Sequence, residues 1–472
     1  MTRGRFNQHS KATTQGAKLF LRGLSGLAGC LLLTQSAFAQ QSALNSQSLT
    51  YMDYPQPSAA VEPLQMDNFP KWVTLDLQSR AREENQSSDK YVSGNDAVYA
   101  LTRVWGGLEI RPARWLTGYI QFVDAHALGL PLTYVAANQR DAFDDRQAFL
   151  EFHKKYMTVI AGRQELRYGG ERLVGISNWT DTSRTFDGFV GRLGDKNRLD
   201  LFSTSVVAIH ATSLDKHGAG LTFHGAVGTI TTWVPHTVIQ PFVYIRALPR
   251  VESQQKTYGT ETEVTPGAEV SAKFLGGFYF DTLGALQRGS YSSDSIHSGA
   301  GYAKSGFGLQ RFGWRPRLGG EYDFASGNSH RDAQRISTFD QLYPSNHNAF
   351  GLTDLFGFQN IKEERINLDL APAKHLALLI QQDWLRLSTV HDSLYSGSAS
   401  ATVKVPTGGF HSDNIGREFD ASSQYAFRDR VTLNIGAGHF LPGTVMSEND
   451  HGAPLTLAYF GLTYKFKMGA TE

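Results

Sequence analysis

The segment FDQLYPSNHNAFGLTDLFGFQNI, residues 339–361, gathers Asp340, His347 and Asp354 among aromatics and glycines. A histidine between two carboxylates could move a proton or hold a metal ion. The spacings of seven and seven match no helical or strand ligand pattern, and the chain has no HExxH, no G-x-S-x-G and no P-loop. His347 therefore reads as a satisfied structural residue, and neither a catalytic residue, a metal nor another cofactor is expected. In DAFDD, Asp141, Asp144 and Asp145 would suit calcium, but the twelve-residue calcium-loop pattern is absent. The other charged candidates offer electrostatic recognition instead. Arg163, Glu165, Arg167, Arg172 and Arg184 fall in one stretch; Arg317, Glu321 and Asp323 fall in a second, and Arg365 and Asp369 in a third. Arginine suits anion recognition because its planar fork stays charged and can grip a carboxylate with two bonds.

The elements that carry these charges have a period of two. In WVTLDLQSR, Val73, Leu75 and Leu77 oppose Thr74, Asp76, Gln78 and Arg80. In PRLGGEYDF, Leu318, Tyr322 and Phe324 oppose Arg317, Glu321 and Asp323; in RINLDL, Ile366, Leu368 and Leu370 oppose Arg365, Asn367 and Asp369. VTLNIGAG and the C-terminal Phe460–Phe466 segment alternate in the same way. This is the pattern of strands with one apolar and one polar face. By the same alternation Arg163 and Glu165 sit with Ala161 on one face. No amphipathic helix of ordinary length is legible after residue 70, and Gly/Asn/Asp/Ser clusters such as YVSGND and HSDNIG mark turns.

Charge repeated along strand faces argues against a dry two-sheet core, since an unpaired buried charge costs several kcal/mol. The polar face must be wet, and the apolar face needs a cover that no helix provides. In a bilayer, strands can span only as a closed barrel, with apolar side chains outward and polar ones toward the lumen. The N-terminus agrees. Five basic residues, the apolar stretch LSGLAGCLLLT and Ala37-Phe38-Ala39 read as a signal peptide over 1–39. A lipidated Cys30 is the rival, disfavoured because the apolar run continues past it. Residues 40–69 read as a flexible Gln/Ser/Pro-rich arm, and 70–472 as the barrel. At roughly 22 residues per strand and loop, this length gives about 18 strands, with 16 allowed. Trp72, Trp105, Trp115, Trp179, Trp314 and Trp384 are candidates for interfacial belts. With residues 1–39 removed, forty basic residues stand against forty-four acidic ones, about −4, which gives no case for nucleic acid.

Three segments carry a resemblance. IAGRQELRYGGERLVGISNWTDTSRTFDGFVGRL at 160–193, the Thr338–Ile361 segment ending GLTDLFGFQNI, and HSDNIGREFD at 411–420 with GAGHFLPG at 436–443 are similar to signatures of the alginate export family of bacterial outer-membrane barrels. Gln341 stands where that pattern has proline. The resemblance runs from about residue 70 to the end. It implies an 18-stranded monomeric barrel whose arginine-rich lumen passes an anionic polysaccharide. Carried over residue by residue, it marks Arg163, Gln164, Glu165, Arg172 and Arg184, then Asp340, His347, Asp354 and Asn360, then Glu418 and Asp420.

The resulting expectation is a passive, non-enzymatic outer-membrane channel in contact with lipid, with an anionic or sugar-like solute and with periplasmic or secretion-complex proteins as partners. A diffusion porin for small nutrients and a secreted β-rich binding protein are the alternatives. The 339–361 segment, placed between two spanning strands, is expected to fold back as a plug, lid or constriction.

Overall fold

The computed structural model describes residues 70–469 apart from 132–133, 219, 275, 310, 331–333, 348 and 428–429. The expected signal peptide and arm, residues 1–69, lie outside the described residues. Alternation in the sequence becomes long antiparallel strands. They are β1 (Val73–Ser87), β2 (Ala97–Ala113), β3 (Leu116–Leu128), β4 (Asp141–Lys154), β5 (Met157–Gln164), β6 (Phe186–Gly194), β7 (Arg198–Ala208), β8 (Thr222–Thr229) and β9 (Thr237–Glu252). They continue as β10 (Tyr258–Lys273), β11 (Phe278–Tyr291), β12 (Asp294–Gly308), β13 (Arg317–Ala325), β14 (Ile361–Ala373), β15 (Leu376–Leu387), β16 (Asn414–Phe427), β17 (Val431–Pro442) and β18 (Leu455–Gly469).

Each strand pairs with its sequence neighbour, and β18 pairs back with β1 from Thr456↔Ser87 to Gly469↔Thr74. The result is a closed antiparallel barrel of 18 strands. Closure leaves no sheet edge and satisfies every strand through its neighbours, as a spanning structure requires. Among the described residues the one α-helix is Thr444–Ser447. Connections at one end are short, as at 114–115, 155–156, 195–197 and 374–375. At the other end they are long: 165–185, 209–221, 326–360, 388–413 and 443–454. That asymmetry is the one found in outer-membrane barrels.

The faces sort by chemistry. Leu318, Ile366, Ile435 and Phe460 are exposed on the outer surface, while Asp323, Arg365, Asp369, Asp383 and Asp420 are buried on the inner one. Trp72, Trp115, Trp314 and Trp384 are exposed outside, as a belt needs. Trp105 and Trp179 depart from the belt expectation. Trp105 is buried inside beneath Arg103 and Arg146, whose guanidinium carbons lie 3.7 and 3.9 Å from its ring centre, and Trp179 belongs to the 165–185 loop.

Part of the inner wall is apolar, which the alternation argument did not anticipate. Phe186, Phe202, Phe223, Phe242 and Tyr244 from β6–β9 are buried on the inner face. Tyr168, Leu173 and Val174 of the 165–185 loop and Tyr343 of the 326–360 loop join them in one cluster. Ring centres stand 4.8 Å apart for Phe223–Tyr343 and 5.6 Å for Tyr168–Phe202. Such pairs add about 0.5–1.5 kcal/mol beyond area burial. This aromatic wall holds the loops inside the barrel.

Candidate functional site

The two loops meet inside the lumen. Tyr343 N–H donates to Leu173 O at 2.9 Å, and Gly175 N–H to Tyr343 O at 2.8 Å. Arg184 Nη1 closes the junction by donating to the carbonyls of Gly175, Tyr343 and Pro344 at 2.9, 2.7 and 2.9 Å. Burial pulls the Arg184 guanidinium down to about 10, which still leaves it charged at neutral pH. Glu171 accepts from Ser345 Oγ at 2.6 Å and from Ile176 N–H at 3.1 Å.

The second-loop motif residues fix that loop to the wall. Asp340 takes an ion pair from Arg246 at 2.7 Å and the N–H of Leu342 at 2.7 Å, and its main chain exchanges bonds of 2.7 and 2.8 Å with the Gln287 amide. Glu418 accepts Thr353 N–H at 2.8 Å and Thr353 Oγ1 at 2.5 Å, and Asp420 accepts Leu352 N–H at 3.0 Å. Gly351, between these anchors, has φ +90°, and an added Cβ would fall 2.4 Å from the Glu418 carboxyl carbon. A side chain is excluded there on both counts. Asn360 donates to the carbonyls of Thr389, Asp392 and Ser393 and accepts Thr389 N–H at 2.8 Å, so it ties this loop to the 388–413 connection.

His347 and Asp354 form a hydrogen-bonded pair at 2.6 Å. The His347 ring stacks on Trp179 with centres 3.6 Å apart, and the Arg82 guanidinium carbon lies 3.7 Å from the Trp179 ring centre. Asp340 is bonded elsewhere, to Arg246. The three residues thus form no joint site, and His347 and Asp354 join the two loops.

Charge is unevenly placed around the wall, although Arg82 pairs with Glu84 on its own strand at 2.5 Å. On β1–β4, Arg80, Arg82, Arg103 and Arg146 point inward. Arg80 donates to the carbonyls of Asn178 and Trp179 at 2.8 Å and pairs with Asp181. Arg82 donates to Trp179 O at 2.8 Å, and Arg103 to Asn178 O and Thr180 O at 3.0 and 2.9 Å. Arg146 pairs with Glu165. Further round the wall, on β13–β16, stand Glu321, Asp323, Glu363, Asp383, Glu418 and Asp420, set against Arg172, Lys304 and Arg365. Arg172 reaches Glu321 at 2.5 Å and Asp323 at 3.1 Å. Burial pulls its guanidinium down, but those two carboxylates more than reverse this and leave it raised. Arg365 reaches Asp383 at 2.5 Å and Glu363 at 2.9 Å. Arg317 pairs with Asp369 at 2.7 Å, also on the inner face.

Arg167 is the accessible member of the basic side, with 49 % of its side chain exposed. It hangs from the 165–185 loop, bonded to Glu165 at 2.9 Å and to Glu171 at 3.5 Å. Burial works to raise the Glu165 carboxyl, but Arg146 and then Arg167 outweigh it and hold it at about 2. Arg167 therefore keeps a charged partner throughout the working pH range. Lys465, inward on β18, lies within electrostatic reach of Arg103 and Arg167.

Arg163 corrects the sequence-based expectation of a pore-lining residue. It pairs in register with Ala148 and Asp187, on the side of the sheet that carries Leu150 and Phe189, which are 49 and 63 % exposed. There it binds Asp187 at 2.9 Å and Asp145 at 3.3 Å. Glu165 parts from it because β5 ends at Gln164 and the chain turns inward. The arginines Arg80, Arg82, Arg103 and Arg146 were not singled out from sequence. For Arg80 and Arg82 the signal was the period-two RAR of β1, in phase with the polar face of Asp76 and Gln78.

The profile of the family described as alginate export matches residues 71–454. No curated protein matches the chain. Among solved structures, OccK11 (OpdR) of Pseudomonas aeruginosa is similar with a TM-score of 0.56 at 12% identity, covering 84% of this chain and 96% of that one. OpdO of the same organism gives 0.56 at 10%, covering 84% and 98%. OpdK of the same organism, in its structure with vanillate, gives 0.55 at 11%, covering 84% and 100%. At these identities the likeness concerns the fold.

Proposed function

The chain belongs to the alginate export family, and from that premise we propose that this passive outer-membrane channel conducts an anionic polysaccharide or a related anionic or sugar-like solute. The observation that carries the reading is the half-exposed Arg167, backed by the buried arginines Arg80, Arg82, Arg103 and Arg146, which hold the 165–185 loop that presents it. A polyuronate presents a row of carboxylates, and guanidinium forks bind carboxylates without needing a proton. The Asp181 carboxylate already occupies Arg80 in this way. The carboxylates on β13–β16 would add a lateral field to the passage and orient a charged solute. No energy source acts at such a site, so flux follows the gradient. Pairing of β18 with β1 completes the barrel within one chain, so no second chain is needed to close the wall against lipid.

A second reading has its own support. The 165–185, 326–360 and 388–413 connections pack into the lumen around Phe350, Phe356 and Phe358, which favours a narrow passage and small solutes. The similar OpdK was crystallised with vanillate, a small carboxylate. Block of single-channel current by uronate oligomers separates the two. Polymer conduction predicts block that deepens with oligomer length and is weakened by Arg167→Glu. Equal, length-independent effects of monomer and oligomer would leave the small-solute porin.

A further inference from the structure

A separate group of carboxylates stands at the long-loop end of the barrel. Asp141 opens β4, Asp144 follows at an irregular stretch where Phe143 has φ 36°, and Asp215 comes from the 209–221 connection. One oxygen from each lies within 4.8 Å of the other two. Asp144 accepts the N–H groups of Asp145 and Asp215, both at 2.6 Å. Asp215 accepts His210 N–H at 2.6 Å. Burial, with Asp144 beside it, pushes the Asp215 carboxyl up.

Asp141 differs from both. It is 2 % exposed, and its Oδ1 is buried with no hydrogen-bond partner. An unsatisfied buried carboxylate oxygen is costly, and two neighbouring carboxylates add like-charge repulsion. Arg163 is the nearby cation, but its nitrogens are taken by Asp187, by Asp145 and by the carbonyl of Asp215. A divalent cation between the three carboxylates would remove the repulsion and satisfy Asp141 Oδ1 together. The donors are all oxygen, which excludes soft metals. Their irregular strand-and-loop arrangement suits the flexible coordination of calcium better than the strict octahedron of magnesium.

We propose that Asp141, Asp144 and Asp215 bind one calcium ion that fastens the 209–217 segment to the start of β4. Nothing in this proposal depends on what the lumen conducts. Sequence spacing brought Asp145 into the group in place of Asp215; the structure gives Asp145 to Arg163.

The test is calorimetric titration of calcium chloride into the full-length protein, stripped with chelator in detergent, beside Asp141→Asn and Asp215→Asn. Folding of each is verified by heat-modifiable migration. One site is expected in the unsubstituted protein, at about 10⁻⁴ to 10⁻³ M or tighter, as for exported modules. Each substitution should weaken it at least about tenfold, since affinity follows the ligand charge count. Should Asp141→Asn fail to fold, Asp215→Asn, which lies in the connection, decides the matter. Absence of binding, or equal binding by the unsubstituted and folded substituted proteins through lumen carboxylates, would overturn the proposal.

Discussion

Arg163 and Arg167 are four residues apart and stand on opposite sides of the wall. Arg163 ends the outward register of β5 beside Asp187, whereas Arg167 belongs to the inward loop with half its side chain exposed. Charge reversal at Arg167 should therefore lower the chloride-to-potassium permeability ratio by about twofold or more, because a lumen charge acts on permeating ions at short range. Charge reversal at Arg163 should leave the ratio unchanged, because the barrel wall lies between it and the passage. Reversal potentials of both variants in a salt gradient check this pair; a shift with Arg163→Glu alone would invert the assignment. Alternation predicted the inner face for Arg317, Glu321, Asp323, Arg365 and Asp369, where the structure has them. It kept Arg163 correctly in phase with Ala161, but that face is the outer one; it failed at Glu165 because the strand stops at Gln164, and a period of two carries no information past a strand end. The arginine also lacks an apolar signature, since its outward position is satisfied by acidic partners on β4 and β6.

At the scale of elements, the 326–360 connection is more than a long loop. It lies inside, on Glu418, Asp420, Arg246 and Gln287. Its length and its place between β13 and β14 were legible, and so was its tendency to pack, from the run of aromatics and glycines. Its partners were not legible: Tyr343 meets Val174 across a sequence separation that no local pattern encodes. Asn360 is the joint between this loop and the 388–413 connection. Asn360→Ala would strip three carbonyls and one N–H of their partners, at a cost of about 1–3 kcal/mol. The expected result is a lower thermal midpoint with more frequent current fluctuation, read by circular dichroism and single-channel recording. Removal of 343–357 should raise unitary conductance, since Phe350 and Phe356 leave the lumen with it. An unchanged conductance would make the loop a structural filler outside the ion path.

On the scale of the whole molecule, the alternating strands, the lack of helices and the length together predicted a barrel of about 18 strands, and closure through β1 and β18 accounts for it. The aromatic inner wall of β6–β9 escaped that reading. Two-sided apolar character looks the same in sequence whether a strand faces lipid and a packed loop or lipid and another sheet. The uneven charge around the remaining wall was equally hidden, because the sums nearly cancel over the chain while β1–β4 carry four buried inward arginines and β13–β16 seven buried inward carboxylates. Selectivity thus belongs to the arrangement and not to the composition. Single-channel recording of the purified, folded protein in a planar bilayer under a potassium chloride gradient tests the central claim most directly. Discrete conductance steps whose reversal potential lies on the chloride side are predicted, through a passage bordered by Arg167. Folded protein that produces no steps, or steps that favour potassium, would contradict it.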